Sequence, residues 1–304
     1  MARVICVGGA HVDIYAKPQT PLVAASSVPG AVTFRPGGVG RNLAVALARL
    51  GQQPVLLAAL GTDAAGDWIQ QDLSAAGVQL ANLAAGSSDP TGAYVSLSDD
   101  AELAHAVADT RALDGVHSER LLTALKASAP AELIIAECNL SVALLQTLVD
   151  WCGRHRVPLW IEPVSATKAL RIAQINGAVD LISPNALEAR ALSAALQRDN
   201  ARGRGPEIRR WLVTRGADGV AYYDQHDHSG AAQLFAAVPT HPVNVHGAGD
   251  VLLATFAAAQ LEGRSVAASC HAAVRAAALA VACSEPVPTQ LRLDELLPGS
   301  RAQA

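Results

Sequence analysis

The chain reads as an α/β protein with a doubly wound, mostly parallel sheet flanked by helices and a small group of extra strands outside it. Three observations predict this. Short β-rich apolar runs alternate with helical segments along most of the 304 residues, the pattern of strand–helix–strand crossovers. Hydrophobic residues make up 51% but aromatics only 4%, so the core is built mainly from Ala, Val and Leu, which suits helices packed on a parallel sheet. Two stretches, 10–36 and 91–109, break the alternation with Pro-rich or alternating sequence and no helical period.

In chain order, RVICVG is a central strand that ends at Gly8-Gly9. Residues 10–36 then read as short strands outside the main sheet. A helix follows Gly37-Gly38 and stops at Gly51. PVLLAAL (54–60) is a strand and AGDWIQQDLSAAG (65–77) a helix; residues 91–109 form a hairpin turning at Asp99-Asp100. ELIIAE (132–137) is a strand, and residues 141–155 form a helix capped by Ser141. PLWIEP (158–163), VDLIS (179–183) and WLVT (211–214) are strands, and two closing helices begin near Gly247 and Ser265. The polar run QRDNARGRGPE (197–207) reads as a surface loop, because the alternation resumes after it, and the terminal GSRAQA is expected to fray. The length fits a single domain, 1–304.

Composition excludes several classes. A net charge of −4 leaves no electrostatic footprint for a nucleic-acid polymer. Five cysteines with no CxxC pair argue against a disulfide framework or structural zinc, and fit a reducing cytoplasm. The opening apolar run is too short for a signal segment. The nearest approach to a membrane span, Val266 to Cys283, contains His271 and Arg275, so no membrane partner is expected.

Ligands of such sheets bind beyond the carboxyl ends of the strands. Asp13, Glu137, Asn139, Glu162, Asn185 and Thr214 fall at or just past those ends and are expected to share one crevice. In VNVHGAGDVLLATFAAAQ (243–260), Gly247, Ala248 and Gly249 start an apolar helix with Asp250 in its first turn. Small residues there let backbone amides approach an anion, and the helix dipole is expected to hold Asp250 ionised near neutral pH. A carboxylate beside such a hole can accept a hydroxyl proton while the hole holds a phosphoryl group; alone, the motif is equally a Gly-rich turn with an acidic helix start. In FRPGGVGRNLAVALARLG (34–51), Gly37, Gly38 and Gly40 allow backbone to lie against a ligand, and Asn42 offers both a donor and an acceptor to a sugar diol. GGAHVD after the first strand is not GxGxxG, and no GxxxxGK[ST] occurs, so neither a Rossmann nor a P-loop site is present. His226 and His228 lack a ligand cluster, and Cys138 lacks a neighbouring His, so a surface run and a buried thiol are expected.

Together the two Gly motifs, with SPNALEA (183–189) and VTRGADGV (213–220) between them, resemble the PfkB (ribokinase-like) family of sugar and nucleoside kinases over nearly the whole chain. The resemblance implies a ribokinase-like fold and an ATP- and Mg²⁺-dependent kinase of a small-molecule sugar or nucleoside. Asp250 would be the catalytic base, and Gly247, Ala248 and Gly249 the anion hole. Asn185 and Glu188 would position phosphates and Mg²⁺, with Glu188 on the metal side. Thr214, Gly216 and Gly219 would line the nucleotide site, and His11, Asp13, Gly38 and Asn42 would sit at the sugar. Segments 10–36 and 91–109 would form a β lid through which such proteins also form homodimers.

Within the family, PGGVGRN, AECN (136–139), EPVSATK (162–168) and PNALEA are similar to the pseudouridine kinases, which phosphorylate the 5′-hydroxyl of a C-nucleoside. That likeness would set Glu137 and Asn139 toward the nucleoside and Lys168 toward nucleotide phosphate. Other acceptors (ribose, adenosine, inosine) and a non-catalytic nucleoside sensor are the alternatives. Three positions depart from the family pattern. His11 stands where relatives often have Asn, and Val39 where ribokinases often have Lys, which argues against free ribose. Asn244-Val245-His246 replaces a run that often helps hold a monovalent cation, so that requirement stays open; His246 either faces the phosphates or points outward.

Overall fold

Successive residues of the first strand enter different cores. The structure, a computed structural model, describes residues 3–99, 102–200, 205–227 and 231–297. Its first half comprises β1 (Arg3–Val7), β2 (His11–Pro18), β3 (Gly30–Gly37), α1 (Val39–Arg49), β4 (Gln53–Ala58), α2 (Ala64–Ala75), β5 (Gln79–Asn82), β6 (Ala93–Asp99), β7 (Glu102–Asp109), α3 (Arg111–Asp114) and α4 (Ser118–Ser128). Then come β8 (Leu133–Glu137), α5 (Val142–His155), β9 (Leu159–Glu162), α6 (Ala166–Ala169), β10 (Gly177–Val179), β11 (Leu181–Ile182) and α7 (Ala186–Asn200). The chain closes with β12 (Pro206–Ile208), β13 (Arg210–Thr214), β14 (Val220–Asp224), β15 (Gln233–Phe235), α8 (Ala248–Leu261), α9 (Val266–Val281) and α10 (Leu293–Leu296).

Val4 and Cys6 of β1 join one buried cluster with α1, α8 and α9, while Ile5 and Val7 join another with α4, α5 and α7. This two-sided burial is why the strands read as unbroken apolar runs. The main sheet has nine strands in the order β15-β14-β13-β11-β9-β8-β1-β4-β5. Neighbours from β13 to β5 pair in parallel, and β14 and β15 add an antiparallel edge. The expected doubly wound sheet is therefore observed, with an edge the sequence analysis did not mark as strands.

Two expectations need correction. VDLIS is not one strand: Gly177–Val179 pairs with Pro206–Ile208 in a separate ribbon, and only Leu181–Ile182 enters the main sheet. Asp180 makes the break, because its Oδ2 accepts from the Leu159 amide (2.9 Å) and its Oδ1 from Arg209 (3.1 Å). The segment 197–207 is not simply a loop, since α7 runs to Asn200 and Pro206 opens β12; residues 201–204 lie outside the described residues.

The two non-helical stretches form a second, four-stranded sheet, β3-β2-β6-β7. β2 pairs antiparallel with β3 and parallel with β6, and β6–β7 is an antiparallel hairpin whose register shifts after Leu97. Asp100, at the expected hairpin turn, lies outside the described residues, as do His228 and the terminal GSRAQA. Phe34, Ile14, Val95 and Val107 align in one row across this sheet, with Phe34 57% and Val107 70% exposed.

Candidate active site

The strand order reverses at β1, which has β4 on one side and β8 on the other, so a crevice opens beyond the carboxyl ends of β1 and β8. Its floor is tied by Glu137, the last residue of β8. This carboxylate is fully buried; Oε1 accepts from the Gly9 amide and Oε2 from the Asn139 amide, both at 2.6 Å. Burial pushes its carboxyl above the ordinary range, against the pull of those two amides. Both oxygens are thus engaged with backbone, and Glu137 orders the crevice floor. Arg171 secures the same turn by donating to the carbonyls of Cys138, Asn139 and Leu140, each at 2.9 Å. Cys138 is buried, which raises its thiol well above the usual value and fits an inert thiol.

The Gly-rich turn before α1 fills its room with protein. Gly38 has φ 100, a left-handed value, and a side chain there would run into the carbonyl of Gly9. A Cβ on Gly37 would overlap the Asp13 carboxylate. The motif's small residues therefore let α1 press on the end of β1 and make space for Asp13.

Asp13 lies in β2, in the second sheet, and is 7% exposed. Its Oδ2 accepts from the Tyr15 hydroxyl (2.9 Å). Its Oδ1 stands 3.0 Å from His11 Nε2, an ion-pair distance without hydrogen-bond geometry, so this buried oxygen has no hydrogen-bond partner. An acceptor in that condition suits a sugar hydroxyl.

Asp250 sits in the first turn of α8, 7% exposed, and its Oδ2 accepts from Asn42 Nδ2 at 2.9 Å. The expectation that the helix dipole keeps it ionised is overturned. Its carboxyl is pushed up from 3.8 to about 7, chiefly by burial and further by Glu137 and Asp13, while the Asn42 bond and Arg41 pull it down. Desolvation inside a carboxylate-rich crevice outweighs one helix terminus. A carboxyl titrating near 7 matches what a general base needs at neutral pH. Ahead of it, Gly247 is the N-cap at φ 80, and the amides of the first turn have no acceptors within their own helix. Open space faces Gly249, where a Cβ would meet nothing within 4 Å. That space is where an anion can reach the amides.

Beside it lies an apolar cavity of about 650 Å³, lined by Thr214, Gly216, Gly219, Val220, Ala248 and Gly249 among others. Thr214, Gly216 and Gly219 thus share one cavity with Ala248 and Gly249, whereas Gly247, Asn185 and Lys168 are not among its lining residues. Asn185 and Glu188 close a reciprocal cap on α7: Asn185 Oδ1 accepts from the Glu188 amide (3.0 Å) and Glu188 Oε2 from the Asn185 amide (2.8 Å). Glu188 is 4% exposed, and burial raises its carboxyl. Among the described residues no group of three His, Cys, Asp or Glu side chains gathers to hold a metal. A buried carboxylate with one oxygen left over fits Mg²⁺, which takes few protein ligands and completes its shell with phosphates and water. Lys168 donates to Asn139 Oδ1, which brings these two expected residues together.

Three further residues enter the site: Glu162, marked in the sequence only as a strand end, and Arg41 and Tyr15, which were not marked there. Glu162 holds Val164 in a tight turn: Oε2 accepts from the Val164 amide (2.7 Å), Ser165 N–H bonds Pro163 O (2.8 Å), and Val164 has φ 68. A β-branched residue there is strained, a feature concentrated at functional sites. Burial, followed by Asp250, Glu188 and Glu137, pushes the Glu162 carboxyl well above its ordinary range. The EPVS run was its visible signal, as the Arg41-Asn42 pair was for Arg41. His246 is exposed, with its ring 5.2 Å from that of Tyr15, so it meets β2 of the second sheet. Asn244 is engaged with the Ser284 carbonyl and the His246 amide.

A candidate base, open helix-start amides and an unsatisfied acceptor from the second sheet, gathered at one switch point, are the parts that a phosphotransferase acting on an alcohol uses. The chain matches the pfkB family of carbohydrate kinases over residues 1–290 and belongs to that family. It is a sugar or nucleoside kinase. It is 31% identical over 288 residues to the pseudouridine kinase of Escherichia coli (strain K12), covering 92% of this chain and 90% of that protein. A carbohydrate kinase from Agrobacterium tumefaciens superposes with a TM-score of 0.80 at 25% identity, covering 97% of this chain and 96% of the other. The ribokinase of Arabidopsis thaliana, solved in complex with ribose and ATP, gives a TM-score of 0.76 at 21% identity over 98% and 99% of the two chains. Among the described residues no helix is long and apolar enough to cross a membrane.

Proposed function

We propose that this protein uses ATP to phosphorylate the 5′-hydroxyl of a nucleoside, with pseudouridine the favoured acceptor. The observation that carries the reading is Asp250: a buried carboxyl titrating near 7, held by Asn42 and set beside open helix-start amides. The similarity to a pseudouridine kinase over 92% of the chain supports the choice of acceptor.

In the reaction, Asp250 takes the proton of the 5′-hydroxyl as its oxygen attacks the γ-phosphorus. The bond from that phosphorus to the bridging oxygen of ADP breaks, and ADP leaves with the electron pair. The amides of Ala248 and Gly249 stabilise charge on the transferring group. Asp13 and Asn42 hold ribose hydroxyls, and Asn139 with His11 borders the nucleoside. Thr214, Gly216 and Gly219 line the adenosine side, with Asn185 and Lys168 toward the phosphates. Glu188 would hold Mg²⁺, which when bound neutralises phosphate charge. Lid closure excludes water and suppresses hydrolysis of ATP.

The exposed row Phe34, Val95 and Val107 gives the lid an apolar outer face that suits a homodimer. The free cysteines, among them the buried Cys6, Cys138, Cys152 and Cys270, fit a cytoplasmic enzyme. The test is ADP release with pseudouridine, uridine, ribose, adenosine and inosine. The reading expects the highest kcat/KM with pseudouridine. Transfer to another acceptor only would remove the substrate and leave the kinase, and tight binding without transfer would favour a sensor.

A further inference from the structure

Arg41 lies next to the substrate-facing Asn42 and is 6% exposed, too buried for a solvated surface charge. Its Nε and Nη2 both donate to Asp72 Oδ2 on α2, at 2.9 and 2.7 Å. Its Nη1 donates to Asn42 Oδ1 at 3.0 Å. A guanidinium is planar, so the two bonds to Asp72 fix its plane and aim Nη1. Arginine has no acceptor, so only the oxygen of the Asn42 amide can face it. The amide nitrogen is then left toward Asp250 Oδ2, 2.9 Å away. Flipped, the amide would set its NH₂ against a cation and its oxygen against a carboxylate.

We propose that Arg41, held by Asp72, is a positioning residue for phosphoryl transfer: it locks the Asn42 amide so that the amide donates to the base Asp250. The inference rests on Asp250 being the base of the proposed reaction. Charge adds a second effect. Glu137 of β8 and Asp13 of β2 repel ionisation of Asp250, as does Glu162 of β9 in the coupling between those two groups, and Arg41 of α1 opposes them. A plain ion pair joining α1 to α2 would also use Arg41 and Asp72, but it would not require the third bond to Asn42.

The experiment compares Arg41→Lys and the double variant Arg41→Met/Asp72→Asn with the parent. The double variant leaves no lone buried charge, so it keeps the fold more readily than removal of one partner. Two quantities are read: kcat and kcat/KM across pH, and the Asp250 carboxyl titrated by ¹³C NMR in the free protein. For the double variant the proposal expects kcat about tenfold lower at alkaline pH, with KM changed less. Its Asp250 midpoint, and with it the acid limb of kcat/KM, should move up by ~0.5–1 pH unit, because a nearby cation is lost. Arg41→Lys should move the midpoint up by less than the double variant does, because the cation stays, yet retain the kcat deficit, because an ammonium has no fork to aim the Asn42 amide. A lower melting temperature with parent-like midpoint and kcat would mean a structural pair only and overturn the proposal. If the parent transfers no phosphate at all, the kinase reading fails, whereas the NMR midpoint of the free protein still decides whether Arg41 acts on Asp250.

Discussion

Replacing Asp250 with Asn should make the protein more stable and nearly inactive, and the stability gain should depend on pH. The carboxyl is 7% exposed and pushed from 3.8 to about 7, so folding is penalised whenever it must be ionised. At 1.36 kcal/mol per pH unit, the full penalty is ~4 kcal/mol. Asn keeps the side-chain oxygen that accepts from Asn42 but brings an NH₂ that needs its own acceptor, at a cost of about 1–3 kcal/mol, so a net gain of ~1–3 kcal/mol is expected. For a chain of this length that is about 2–5 °C in Tm. The sign follows from the raised value. Between about pH 4 and 7 the folded state holds a proton that the unfolded state has lost, so parent stability falls as pH rises through that window and levels off above it. The Asn variant does not titrate there. Its advantage should be absent near pH 4 and complete by pH 8, measured by thermal or urea unfolding at both. Its kcat should fall by roughly 10²-fold or more, the scale of a positioned base. Equal stability differences at the two pH values, or turnover within a few-fold of the parent, would falsify the assignment.

Gly249→Ala adds a methyl where a Cβ meets no neighbour, so stability should rise by ~0.5–1 kcal/mol while KM for ATP increases, as the methyl intrudes on the phosphate space; calorimetry and initial rates check both. Glu137→Gln replaces one of two acceptors with a donor facing a backbone amide, which should cost ~1–3 kcal/mol in urea unfolding and leave an unpaired N–H at the crevice floor. Phe34→Glu puts a charge into the exposed lid row and should shift a dimer toward monomer in analytical ultracentrifugation without lowering Tm. Hydrogen exchange in β2, β3 and the described part of the β6–β7 hairpin should slow when nucleoside is added, and unchanged exchange with nucleoside bound would contradict the closing lid.

Much of the architecture was legible because each strand carries a local signal. RVICV and LIIAE are buried on both faces and read as apolar runs. The second sheet stood out by its lack of helical period, and the antiparallel edge did not, because VAYYD and QLF are short and partly exposed. VDLIS looked continuous because the break depends on Asp180 bonding an amide in a strand twenty-one residues away in sequence. The residues of the site were visible at strand and helix ends, but their electrostatics were not. The state of Asp250 is set chiefly by burial that no local pattern reports, and further by Glu137 and Asp13, which come close only in the fold. For the same reason Arg41 looked like one more residue in a Gly-rich motif until Asp72 was seen to face it. Glu137 had the right position for a ligand residue, but its oxygens are taken by backbone amides.

Single-turnover transfer tests most directly whether Asp250 is the base of a nucleoside 5′-kinase. With excess enzyme, γ-labelled ATP and pseudouridine, the label should appear on the 5′-oxygen. The transfer rate should fall about tenfold per pH unit below pH 7 and become flat above it, as the midpoint near 7 requires. No pseudouridine-dependent label on the 5′-oxygen, or a rate that ignores pH across that range, would contradict the account.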